Sequence, residues 1–368
     1  MPPSPPWFEA FPQFDPAAWG ETGEAVREKY TAAAKAFADS FTVPVGLTPR
    51  EEVWALNKAR LYRYTPVNAP PTRRPIPLLL VYALINKPFI FDLIPGRSFI
   101  EYMTAQGFDV FLLDWGAPGP EDARTTLDDY VSDILPRAIR KMLRLSGADA
   151  YSLLGYCLGA TLAATYAALA PPTPPRNLIL LTAPLDFSGT DGVISAWAGE
   201  KGLDVDKLAD TFGLIPGDLI KAWAKLVRPA ENTVGVYVTM LKMLDDPDAL
   251  RGWQAMHRWV EETVPFAGAA FRQFITVYVR QNALMEGTLV VRGRQADLRN
   301  IRAALLNIAA EYDHLVPRAS SQAIMDKVAS ADRQFRLIPA PHVGILISRS
   351  ARDKLWPEIA NWLAPRSG

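Results

Sequence analysis

Ala150-Tyr151-Ser152-Leu153-Leu154-Gly155-Tyr156-Cys157-Leu158-Gly159-Ala160 is the stretch on which the reading of this chain turns. Ala150 to Leu154 is an apolar run of strand length, a helical pattern begins after Cys157, and Gly155-Tyr156-Cys157-Leu158-Gly159 joins the two. A strand that passes straight into a helix through Gly-x-Cys-x-Gly predicts a sharp, strained turn. The flanking glycines let strand and helix approach closely while the central side chain is lifted clear. Cys157 would then stand at the carboxyl edge of a sheet and at a helix N-terminus, where free amides and the helix dipole favour a thiolate. The amide of Leu158 would face a developing oxyanion. The competing reading is a small buried hydrophobe, the usual state of a lone cysteine. The pentapeptide alone does not separate the two.

Working outward, the same alternation of strand and helix recurs. Leu78 to Leu84 is a continuous apolar run, as a strand buried on both faces requires. Helix Gly96 to Gln106, strand Val110 to Trp115 and a long helical pattern from Leu127 to Leu145 lead to the elbow, and strand Asn177 to Thr182 follows it. A second block holds strand Ala304 to Ala310, helix Arg318 to Ala329, strand Gln334 to Pro339 and a closing helix Ala351 to Leu363. The spacing predicts an α/β fold with a mostly parallel, doubly wound sheet. Between the blocks strand signals fade, and residues 186–299 read as a largely helical cap (lid) inserted into a core of residues 46–185 and 300–368. The cap carries Trp197, Trp223, Trp253 and Trp259, with an aromatic helical stripe at Phe271, Phe274 and Tyr278 that reads first as a helix packed on the core. Residues 1–45 read as a proline-rich arm followed by a helix from about Glu24 to Phe41. Thr48-Pro49-Arg50-Glu51 has the form of a capping box and predicts a short helix towards Ala59.

Partners for Cys157 occur in the order that elbow enzymes use, nucleophile, acid, histidine, each after a strand. Asp313 follows the strand ending at Ala310, and His342 follows the strand ending at Pro339. In isolation Asp313 could be a turn cap and His342 a loop histidine bonded to backbone. Together, in this order, they favour a Cys157, Asp313, His342 triad. His314 adjoins the acid and is expected to point away from it, and His257 in the cap reads as a surface or packing histidine. A second oxyanion amide is expected in the loop after the first long buried strand, at Leu84 or Ile85, with Asn86 either bracing that loop or forming a local turn.

Composition narrows the classes. With 368 residues the chain suits one large α/β body with an insertion. Basic and acidic residues number 39 each, so no electropositive field gathers nucleic acid or an anionic membrane. One cysteine and three scattered histidines rule out an intramolecular disulfide and argue against a metal centre, and no cofactor is expected. The longest apolar run, near Ile76 to Ile85, is far short of a membrane span, so no integral membrane association is expected. The start of the chain lacks the cationic segment and apolar stretch of a secretory leader, which makes the cytoplasm the expected compartment.

Seven blocks now carry a resemblance. They are Val81-Tyr82-Ala83-Leu84-Ile85-Asn86-Lys87-Pro88, Asp92-Leu93-Ile94-Pro95-Gly96-Arg97-Ser98, Leu113-Asp114-Trp115-Gly116, the Cys157 elbow, Phe271-Arg272-Gln273-Phe274, Asp313-His314-Leu315-Val316-Pro317 and His342-Val343-Gly344. Spread in register from Val45 to Leu363, they resemble the polyhydroxyalkanoate synthases, in length the class III catalytic subunit first and class IV next. The resemblance implies an α/β-hydrolase fold and polymerisation of (R)-3-hydroxyacyl-CoA onto a growing polyester chain. It further implies Cys157 as acyl carrier, His342 as base and Asp313 as its partner or as activator of the hydroxyl. A homodimer, a small partner subunit and residence at the surface of polymer granules are also implied by the family alone. Ala160 departs from the family, which usually has a second glycine there, and the proline-rich arm lies outside the matched blocks.

Cysteine suits such chemistry for an independent reason. Moving an acyl group from a CoA thioester to a protein thiol conserves its activation, so the later attack by a hydroxyl is downhill and drives elongation. Water, near 55 M, competes with that hydroxyl, but positioning confers effective molarities of about 10⁵ M or more. An apolar cap would reduce the competition further. Two other readings stay open: a cysteine hydrolase of dienelactone-hydrolase type, which is much shorter and uncapped, and a non-catalytic α/β-hydrolase-like granule or scaffold protein.

Overall fold

The computed structural model describes residues 23–70, 72–189, 198, 204–227 and 231–368. The proline-rich arm through residue 22, and Trp197 of the insertion, lie outside the described residues. Helix α1 (Gly23–Asp39) is followed by strands β1 (Arg50–Leu56), β2 (Ala59–Tyr64) and β3 (Leu78–Val81). Helix α2 (Phe99–Ala105), strand β4 (Val110–Asp114) and helix α3 (Leu135–Ser146) come next. Strand β5 (Ser152–Tyr156), helix α4 (Leu158–Ala168) and strand β6 (Asn177–Leu181) complete the first block. The chain then leaves the sheet for helices α5 (Val205–Phe212), α6 (Gly217–Leu226), α7 (Val236–Lys242), α8 (Pro247–Glu261) and α9 (Gly268–Gln273). It returns as β7 (Ala304–Ala310), α10 (Arg318–Gln322), β8 (Arg333–Ile338), α11 (Gly344–Ile347) and α12 (Trp356–Leu363).

Eight strands form one sheet in the order β1-β2-β4-β3-β5-β6-β7-β8, with only the β1–β2 and β2–β4 pairs antiparallel. This is the α/β-hydrolase fold. Leu78, Leu79, Leu80 and Val81 in β3, and Leu178 to Leu181 in β6, are wholly buried, because helices cover both faces of a parallel sheet and leave no polar side for alternation.

The helix expected over Pro49 to Ala59 does not form; β1 and β2 make an antiparallel hairpin there, turning at Asn57 with φ +51°. The reason is tertiary. A capping box needs the Thr48 hydroxyl, but that hydroxyl donates to Asp92 Oδ1 at 2.6 Å, and the Thr48 amide donates to Asp92 Oδ2 at 3.0 Å. Freed from a helical start, Arg50 stacks over Tyr62 across the hairpin and donates to the Tyr64 hydroxyl.

The helical segment sits on the loops at the carboxyl ends of the parallel strands. Val264 N donates to Ile85 O at 3.0 Å, Trp259 Nε1 to Lys87 O at 2.9 Å and Ala269 N to Ala123 O at 3.1 Å. Phe271, Phe274 and Tyr278 are buried, with Tyr278 beside Thr165 of α4, so the aromatic stripe is core. Helix α1 docks on α8 through Ala33, Ala36 and Trp253. His257 is buried in that contact, stacked on Trp253 with Nδ1 2.9 Å from Ser40 Oγ, and burial pushes its pKa down. It is a packing histidine. No described helix is long and apolar enough to cross a membrane.

Candidate active site

Strand β5 ends at Tyr156 and α4 begins at Leu158, so Cys157 alone makes the turn. Its φ of +55° and ψ of −130° lie where side-chain-bearing residues are strained, a cost that surrounding contacts must hold in place. They do so from three sides. The Cys157 amide donates to Leu181 O at 3.0 Å, tying the turn to β6. A Cβ on Gly155 would lie 2.4 Å from Ala160 Cα, and one on Gly159 would lie 2.4 Å from Val81 O. Both glycines are therefore required by contact, the first with the following helix and the second with the end of β3. The sulfur is half-buried.

Asp313 and His342 arrive from the ends of β7 and β8. Oδ1 of Asp313 accepts from the amides of Leu315 at 2.9 Å and Val316 at 2.8 Å, which fixes the carboxylate and leaves Oδ2 for His342 Nδ1 at 2.6 Å. The Asp313 side chain is fully buried. Cys157 is a close electrostatic neighbour of the same imidazole. Burial opposes charge on His342, but Cys157 and Asp313 facing it from either side push its pKa up to about 10. The three residues singled out from sequence are thus brought together. His314 is exposed beside Asp313.

The loop after β3 begins against the elbow, since Gly159 abuts Val81 and Tyr82. Leu84 is buried and Ile85 half-buried in this loop, and Leu158, the first residue of α4, has an amide with no acceptor one helical turn back. Asn86 braces the loop rather than turning it locally: Nδ2 donates to Thr263 Oγ1 at 3.1 Å, across to the helical segment. Two residues here escaped the sequence reading. Trp115 Nε1 donates to Tyr82 O at 2.8 Å and fixes the peptide that opens the loop. Tyr156 donates its hydroxyl to His342 O at 2.9 Å. Trp115 stood in one of the resemblance blocks and Tyr156 in the pentapeptide, but neither side chain signals a partner so distant in sequence.

Comparison with known proteins places this geometry. A model of the alpha/beta hydrolase fold matches residues 76–212. The poly(3-hydroxyalkanoate) polymerase subunit PhaC of Allochromatium vinosum is 37% identical over 324 residues, covering 88% of this chain and 90% of that protein. The chain belongs to the PhaC family. The corresponding subunit of Haloferax mediterranei is 36% identical over 350 residues, 95% of this chain and 70% of that PhaC. Outside the PhaC family, a soluble variant of monoglyceride lipase from Saccharomyces cerevisiae superposes with a TM-score of 0.54 at 12% identity, covering 89% of this chain and 98% of the lipase, a likeness of fold alone. As a PhaC-family chain, the protein is an enzyme of the poly(3-hydroxyalkanoate) synthase type.

Proposed function

We propose that this enzyme polymerises (R)-3-hydroxyacyl-CoA through a covalent thioester on Cys157, with release of CoA. The observation that carries the reading is the strained Cys157 turn facing a His342 whose Nδ1 is held 2.6 Å from Asp313, in a chain of the PhaC family. His342 takes the proton of Cys157 as the sulfur becomes the nucleophile. The thiolate attacks the thioester carbonyl, and the oxyanion is met by the Leu158 amide and one from Leu84 or Ile85. The carbon–sulfur bond to CoA then breaks, and the departing thiolate takes the proton from His342.

Acylation changes the base. Once its proton has left with CoA, His342 is a neutral imidazole again. That neutral ring accepts the proton of the attacking hydroxyl as the ester forms and the thiolate is restored. Asp313 orients the ring and stabilises its cation. No cofactor beyond the CoA substrate is called for. The helical segment over the strand ends, roughly residues 186–299, serves in this reading as the cap that excludes water. A homodimer, a small partner subunit and a place at the granule surface belong to the same proposal.

The test is incubation with short- and medium-chain 3-hydroxyacyl-CoA, with and without a candidate partner subunit, following free CoA and polymer together. Polymer should accumulate with CoA, and Cys157→Ala should lower the rate by at least about 10³-fold. Free hydroxy acid without polymer would instead favour the hydrolase, and an inert, unreactive thiol the scaffold.

A further inference from the structure

We propose that Tyr156 is a positioning residue for His342, setting where the imidazole stands relative to the nucleophile that follows Tyr156 in the chain. This rests on the catalytic reading above and adds a residue to it. The two residues are 186 apart in sequence, yet the Tyr156 hydroxyl donates to His342 O at 2.9 Å, and its ring lies nearly parallel to the imidazole, 24° off, with centroids 5.5 Å apart. Tyr82 stacks on Tyr156 at 5.6 Å and 29°, and Phe91 meets it edge-on at 6.1 Å. Tyr156 is itself 1% exposed.

The arrangement divides the work of holding one histidine. Asp313 grips Nδ1 and so fixes rotation of the ring, while Tyr156 grips the main chain of the same residue and one face of the ring. Burial, and the neighbouring Tyr82, Cys157 and Asp313, push the Tyr156 phenol well above its ordinary range, so it stays protonated and remains a donor throughout turnover. Because Tyr156 directly precedes Cys157, base and nucleophile are referenced to one strand end. Without the hydroxyl, a buried carbonyl loses its donor and the loop carrying His342 has reason to shift. The groups facing His342 whose charge would respond are Cys157 and Asp313, with Tyr156 neutral and Tyr82 behind it.

The experiment compares Tyr156→Phe with Tyr151→Phe in the full chain. Tyr151 is equally buried, and its hydroxyl donates to Thr173 O at 3.1 Å, just before the start of the same strand, so it controls for loss of a buried phenol. Polymerisation kinetics and the pH dependence of Cys157 alkylation by iodoacetamide are measured for both. Tyr156→Phe should lower kcat about tenfold with KM within about twofold, and move the alkaline limb down by about half a pH unit or more, since a looser His342 holds its proton less well. Tyr156→Met, an adaptable side chain of similar reach without the donor, should shift the limb the same way. Tyr151→Phe should leave kcat and the limb at wild-type values. Unmoved profiles in the Tyr156 variants, or an equal shift in Tyr151→Phe, overturn the positioning role while an inactive Cys157→Ala leaves the thioester mechanism intact. Polymer made by Cys157→Ala overturns the mechanism itself.

Discussion

Helix α4 and helices α6 and α7 put apolar sequence to opposite uses. All eleven residues of α4 are buried, whereas α6 buries only Gly217 and α7 only Met240. Leu226 is 61% exposed, Leu241 50% and Tyr237 42%. A helix enclosed on every side has one position available, and α4 is the helix that must fix Cys157 and the Leu158 amide. The helices over the strand ends are held by fewer and more polar ties, such as Lys221 to Glu261 and Arg272 to Asp206. Packing is therefore tightest beside the candidate site, where the proposed reaction needs a fixed geometry.

The most severe way to probe that contrast is to leave the buried framework intact and remove one charge. Asp313→Asn should lower kcat about 10²–10⁴-fold and also lower the thermal midpoint at pH 7, because it leaves a buried partner without its opposite charge. It should also alter the pH dependence of stability. A folded-state pKa raised from 6.5 to about 10 makes His342 stabilising, fully so below about 6.5 and progressively less as pH rises through about 10. Wild-type stability should decline over that window, and Asp313→Asn should decline less steeply, as thermal melts from pH 6 to 10 would register. An unchanged slope would mean that Asp313 does not set the charge on His342.

Next in size is a direct comparison of the two kinds of helix. Leu162→Ala in α4 deletes a wholly buried side chain and should cost about 2–5 kcal/mol in denaturant unfolding. Leu226→Ser in α6 should stay within about 0.5 kcal/mol. Similar costs at both positions would erase the distinction drawn here. The smallest expected effect tests the bridge between the regions. Asn86→Ala removes the bond to Thr263 and should cost about 1 kcal/mol, with a loss of a few-fold in kcat and no shift of the pH profile.

What could be read from the sequence follows the range of the forces involved. The parallel strands were legible because burial on both faces writes an unbroken apolar run, as at Leu78 to Val81 and Leu178 to Leu181. That Cys157, Asp313 and His342 come together was legible because the fold delivers them from strand ends in a fixed order. The helix that Thr48-Pro49-Arg50-Glu51 predicts towards Ala59 gives way to a hairpin because the local cap signature is overruled by Asp92, more than forty residues downstream. Trp115 to Tyr82, Asn86 to Thr263 and Tyr156 to His342 share that property: each is one hydrogen bond across a long span of chain, with no periodicity to announce it.

The contact between Gly159 and Val81 O has a mechanical corollary. With no room for even a methyl group there, the floor beneath the sulfur behaves as an anvil, rigid and without slack. A polyester that gains one unit per cycle has to find its growing space elsewhere.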